Sequence, residues 1–284
     1  MDGTWLQELS RALQTGEGLA AFLPAARVAG VALTVPCFSS KLLPLRFRAA
    51  LILLLLVGTL GALPLASMAL PAERAAGAEG GLGAFRFHGD IAPAILAELL
   101  VGLCLGWTTF LVMGAVRAAA TLLSEQIGFS LGGVMDPQSA ESEPALRSFH
   151  AALAAYIFLA ADLHHVVLRN LADSFAVFPA GAVSARETWS QVGAFLVSSG
   201  FRLFEATVLL AVPVTVVLLF VSMVHGILSR VIPELEFLVF GFPVRVFVGI
   251  GVIAISLQWL SPVLQGLFSE ALEEGRKLTW SLAG

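Results

Sequence analysis

Asp162, His164 and His165 are three ionisable side chains within four residues of "ADLHHVV", a stretch otherwise made of apolar side chains. On a helix, Asp162 and His165 stand at i and i+3 and share one face. An Asp–His pair inside a membrane can relay protons. The same residues, close to Arg169, equally fit a solvated segment end. Glu98 and Glu205 offer a second chemistry, a carboxylate pair for proton coupling. Each is also a lone acid near a helix start, where the helix dipole favours negative charge. Motifs for covalent chemistry are missing: no HExxH, no GxSxG and no Walker loop occurs. Cys37 and Cys104 form no CxxC and read as two free, buried thiols. The expectation is a protein that is not an enzyme, with no metal and no cofactor.

The elements that must carry these residues are set by composition. The chain has 284 residues, 58% hydrophobic and 13% charged, with a mean hydropathy of +0.90. Soluble domains average roughly 45–50% apolar and about 25% charged. Both departures point to an integral membrane protein. A net charge of −4 gives no basic surface for a nucleic-acid partner. The first 17 residues set Asp2, Glu8 and Glu17 against Arg11, so no cleaved leader is expected.

Six apolar segments are long enough to be candidate spans, given that a crossing helix needs about 20 residues. They are residues 18–35, 49–70, 91–116, 149–168, 203–228 and 235–264. Lipid leaves no water for a bare backbone, so each should be helical. Alternation of polar and apolar residues is absent, which argues against a β-barrel. The fold class is therefore all-α and polytopic. Five of the six segments carry an ionisable group. Arg27, Glu98, Asp162, Glu205 and Arg245 are costly in lipid and should face protein or water, as buried polar groups or subunit contacts. Pro213, Gly241 and Pro243 mark expected helix breaks. Gly102 and Gly106 form a GxxxG that admits a neighbouring backbone. Counting Lys and Arg in the loops of a six-span topology gives eight on one side and six on the other, so the positive-inside rule sets no orientation. Segments that are not simple spans would produce such a result.

One stretch stands apart. "GFSLGGVMDPQSAESEP", Gly128 to Pro144, is glycine-rich, acidic and bracketed by proline between two apolar segments. Gly128, Gly132 and Gly133 permit torsions closed to other residues. Asp136-Pro137 is a turn or helix-start signal. Irregular backbone at membrane depth is tolerated only within protein or beside a watery cavity. A re-entrant loop narrowing a pore and an ordinary solvent loop both fit these residues.

Four stretches in the right order resemble the FliR family, flagellar type III export-gate subunits whose injectisome counterpart is the SctT family. They are "VRAAATLLSEQIGFSLGGVMDPQSAESEP" from Val116, "ARVAGVALTVPCFSSKLLPLRFRAAL" with Arg27, Pro36, Pro44 and Arg46, "HHVVLRNLADSFAVFPAG" from His164, and "GILSRVIPELEFLVFGFPVRVFVGI" with Pro233 and the Gly241-Phe242-Pro243 turn. The resemblance implies one copy of this chain among several FliP-like and FliQ-like subunits, in a helical ring around an export channel in the bacterial inner membrane. Much of that ring rises out of the membrane plane on the periplasmic side. FlhB-like and FlhA-like components and unfolded flagellar proteins are the further partners it implies, besides lipid. It divides the chain into a FliP-like part, 1–200, and a FliQ-like helical hairpin with its tail, 201–284. Within the first part it implies a channel plug in the loop 124–146, carried here by Gly128, Phe129, Gly132, Gly133, Asp136, Pro137 and Pro144. After Pro137 this chain is more acidic than the family pattern. "LADSFAVFPAG" is closer to flagellar than to injectisome members. A rival reading is a stand-alone secondary transporter, which also uses broken helices and buried charges; its usual paired repeats do not appear in the sequence.

Overall fold

The computed structural model describes residues 22–35, 46, 49–50, 53, 91–128, 145–177, 185–231 and 241–283. Six helices account for nearly all of them: α1 Phe22–Thr34, α2 Ile91–Ile127, α3 Ala145–Ala160, α4 Leu163–Val177, α5 Ala185–Val231 and α6 Phe242–Ala283. The described residues include no strand. The chain is an all-α, polytopic membrane protein. Segment 49–70 lies almost wholly outside the described residues, as do Cys37 and the loop residues Phe129, Gly132, Gly133, Asp136, Pro137 and Pro144.

The helices differ from the apolar segments in ways that hydropathy alone does not encode. α1 has 13 residues, which at 1.5 Å per residue is about 20 Å and short of a bilayer core. α2 runs 11 residues beyond the apolar segment, to Ile127. It stops because Gly128 takes φ 100°, with its N–H donating to the Ser124 carbonyl at 3.1 Å. That is a glycine C-cap, where the left-handed turn satisfies one of the last free carbonyls. α5 starts 18 residues before the apolar segment and runs through Pro213. A proline in a membrane helix is tolerated where neighbouring groups satisfy the freed carbonyl. α6 starts at Phe242, so Pro243 falls in its first turn, where a missing N–H costs nothing.

The fourth segment, expected as one helix, is two. α3 and α4 meet at a 65° bend. The chain turns at Asp162, which holds φ 55°, a left-handed backbone few non-glycine residues adopt. Asp and Asn visit it because their short polar side chains bond locally. Asp162 and His165 thus do not share a continuous helix face.

Three helices among the described residues are long and apolar enough to cross a membrane, or four if the bent pair is one span. Their surroundings differ. The spanning window of α2 is 67% buried inside the chain, against 28% for α5 and 17% for α6. α2 is therefore a core helix, while α5 and α6 turn apolar faces outward. Phe201, Phe204, Phe220 and Phe247 are all about two-thirds exposed or more. Hydroxyls along the helices are absorbed locally: Thr34, Ser124, Thr207 and Ser222 each donate to a carbonyl four residues back, which removes a polar group from apolar surroundings.

The chain forms two compact units, residues 1–110, 164–198 and 270–284, and residues 111–163 and 199–269. In the second, Leu123 and Ile127 of α2 pack with Val214 and Leu218 of α5 and Ile253 of α6. Phe158 meets Phe268 edge-on, centroids 5.1 Å apart. Arg245 Nη2 donates to Ser222 Oγ at 2.9 Å. Val214 near Ile253 and Ser222 near Arg245 define an antiparallel hairpin of α5 and α6. In the first unit, Cys104, Val192 and Leu278 form an apolar cluster, and Asn170 Nδ2 donates to the Leu272 carbonyl at 3.0 Å.

Candidate functional site

The first unit is organised around a charge that lipid would not hold. Arg27 of α1 and Glu98 of α2 are both fully buried, at 0% exposure. Arg27 Nε donates to Glu98 Oε2 at 2.7 Å. Nη2 lies 2.7 Å from the same oxygen, completing the ion pair. Nη1 reaches α4, donating to the Ser174 carbonyl at 3.0 Å and to Ser174 Oγ at 3.2 Å. The Phe175 ring covers the guanidinium, 4.4 Å from its carbon to the ring centroid. One arginine thus ties three helices through a planar fork, an aromatic face and a carboxylate. Lysine, a point charge, would not reproduce this.

That clasp forms because two backbones touch. A Cβ on Gly30 would stand 2.6 Å from the Leu99 carbonyl oxygen and 2.7 Å from Leu103 N. A Cβ on Gly102 would collide with the Arg27 carbonyl, and one on Gly106 with the Thr34 hydroxyl. Glu98, Gly102 and Gly106 lie at i, i+4 and i+8 on α2, so the carboxylate and both glycines share the face that receives α1. Close approach lets the short Glu98 reach Arg27, and the dry contact strengthens the pair.

The remaining sequence-predicted residues are dispersed. Gly128 caps α2 at the threshold of the loop; the other loop residues fall outside the described ones. Asp162 is exposed at the α3–α4 bend and Glu205 is exposed on α5. Arg245 is half-buried on Ser222. The structure brings Arg27, Glu98, Gly102 and Gly106 together. It adds Gly30, Ser174 and Phe175, which sequence reasoning did not single out. Gly30 carried a signal, a small residue three positions after a buried arginine. Ser174 and Phe175 carried none beyond their place in "LADSFAVFPAG".

Arg27, Glu98 and Ser174 form no hydrolytic or transfer constellation. Each is held by the others, so the arrangement is a structural clamp among three helices of a membrane protein. Known proteins point the same way. A family model described as "Bacterial export proteins, family 1" matches residues 19–271. The flagellar biosynthetic protein FliR of Pectobacterium carotovorum is 31% identical over 179 residues, 63% of this chain and 67% of that protein. FliR of Bacillus subtilis is 28% identical over 181 residues, 64% of this chain and 70% of that protein. FliR of Caulobacter vibrioides is 26% identical over 256 residues, 87% of this chain and 92% of that protein. With the family's match running from before α1 into α6, the chain belongs to family 1 of the bacterial export proteins, the FliR family.

Proposed function

We propose that this chain is a subunit of the flagellar protein-export apparatus, seated in the bacterial inner membrane. It acts as an export-gate component, building and gating a channel and catalysing no covalent step. The family match over residues 19–271 carries this reading, and the flagellar names of its relatives favour the flagellar branch over the injectisome. In this reading one copy assembles with FliP-like and FliQ-like subunits, with FlhB-like and FlhA-like components alongside. Residues 1–200 supply the FliP-like part and 201–284 the FliQ-like hairpin. The exposed apolar faces of α5 and α6 suit a chain that is completed by neighbouring subunits and lipid. A stand-alone transporter would instead enclose its own path, and spans as little buried as α5 and α6 do not favour that.

The loop between α2 and α3 is the proposed plug, with Gly128, Phe129, Gly132, Gly133, Asp136, Pro137 and Pro144 as its elements. Gly128 supports this at the near end, because its φ of 100° turns the chain sharply off α2. The test is genetic and electrical. A strain of the source bacterium lacking this chain should secrete no flagellar rod, hook or filament protein, and the wild-type gene should restore secretion. Gly132→Asp or Gly133→Asp adds bulk and charge to the loop and should raise ion leak across the inner membrane. Normal secretion without the chain overturns the export assignment. Normal ion tightness and motility in both variants overturns the plug alone.

A further inference from the structure

The second unit encloses a polar atom that its packing does not use. His150, on the second turn of α3, is 7% exposed. Its Nδ1 lies 2.9 Å from the Leu146 carbonyl, one turn back on the same helix. A carbonyl only accepts, so Nδ1 carries a proton and donates it. In the neutral ring that leaves Nε2 as a bare acceptor. Among the described residues no group donates to Nε2. A buried acceptor without a partner keeps the full cost of leaving water. His150 lines a cavity of about 20 Å³ between four helices of this unit. Val116 and Leu123 of α2, Leu210 and Val214 of α5, and Leu260 of α6 give it apolar walls. Ser256 of α6 adds a hydroxyl to the lining. Its Oγ–H donates to the Ile253 carbonyl at 2.8 Å, so what Ser256 has left for the cavity are lone pairs that accept.

We propose that this cavity binds one water molecule, which donates one O–H to His150 Nε2 and the other to Ser256 Oγ. The volume admits one water and hardly a second, because each needs at least about 10–15 Å³. A wholly apolar cavity stays dry, whereas a buried water needs roughly two to four polar partners. Two acceptors match the two donors of water and meet that need. A cation finds no carboxylate in the lining, and an apolar guest would leave Nε2 unpaired. The bound water joins α3 to α6 by a pair of hydrogen bonds, nearly as good as a direct one. α3 is the helix that follows the 128–144 loop, so the water fixes its second turn on the α5–α6 hairpin. Sequence reading passed over His150, because nothing local shows that three other helices close an apolar space around it.

The full chain, labelled with ¹⁵N-histidine and held in nanodiscs, is measured by solid-state NMR at mildly alkaline pH, with the His150 ring assigned through its own backbone. The expected spectrum has Nδ1 protonated and Nε2 bare, with polarisation passing from water protons to Nε2. Ala119 lines the same cavity. Ala119→Val fills the space, removes no hydrogen-bonding group and should abolish the transfer from water. Ser256→Ala removes the second acceptor and should lose most of that transfer. Ser256→Ala deletes only a hydroxyl, so it reads the site even where Ala119→Val fails to fold. A ring proton on Nε2, no transfer from water, or transfer that both variants leave unchanged would overturn the site.

Discussion

A single buried guanidinium carries the first unit, and its energetics define the residue-scale tests. Arg27 and Glu98 are both out of water, so removing one partner strands the other's charge. Glu98→Ala is expected to destabilise the chain by about 3–5 kcal/mol. The double variant Arg27→Met, Glu98→Leu should recover most of that loss, because well-packed apolar replacements of a buried pair are often neutral or better. Thermal unfolding of the detergent-solubilised chain measures both; a double variant no better than Glu98→Ala alone would contradict the clasp. Gly102→Ala places a methyl group on the Arg27 backbone and should cost at least about 1–3 kcal/mol, since backbone yields less than side chains do. Sequence marked Arg27 and Glu98 as residues that lipid would not accommodate, and the GxxxG marked a close approach. It did not pair them. Arg27 and Glu98 stand 71 residues apart and Arg27 and Ser174 147 apart, and no local pattern selects one buried acid among several.

At the scale of elements, hydropathy finds greasy segments and backbone torsion decides where they end. The all-α class followed from composition, because lipid admits few alternatives. Helix limits did not follow. α2 and α5 each extend into polar sequence that hydropathy scores as loop, and the α3–α4 break interrupts a run that hydropathy scores as continuous. Asp162 shows why: a left-handed non-glycine residue is a tertiary outcome, allowed by the side chain and not dictated by it. Asp162→Val, β-branched and unable to bond its own backbone, should destabilise by about 1–2 kcal/mol more than Asp162→Asn. Gly128→Ala adds a Cβ at φ 100° and should cost on the order of 1 kcal/mol while fraying the end of α2. Amide hydrogen exchange around residues 120–128 reads that fraying, and unchanged protection would contradict the capping role.

At the scale of the whole molecule, the long helices are buried to very different extents within their own chain. α2 is largely enclosed by its own chain, whereas α5 and α6 present most of their spanning surface outward. Glu205 is exposed on α5, a position that lipid alone would not favour, whereas the half-buried Arg245 is held on Ser222. Both lie in residues 201–284, the part that the FliR resemblance likens to a FliQ-like hairpin. The positive-inside count set no orientation. Among the described residues α1 has 13 residues and α3–α4 is bent by 65°, features that a tally of six straight crossings does not allow for. Assembly with neighbouring subunits separates a gate component from a self-contained transporter, and native mass spectrometry reads it. The chain is purified alone, then after co-expression with the FliP-like and FliQ-like proteins of its source. The account predicts one copy held in a large hetero-oligomer and little stable protein without those partners. A stable monomer or homodimer indifferent to them would contradict it.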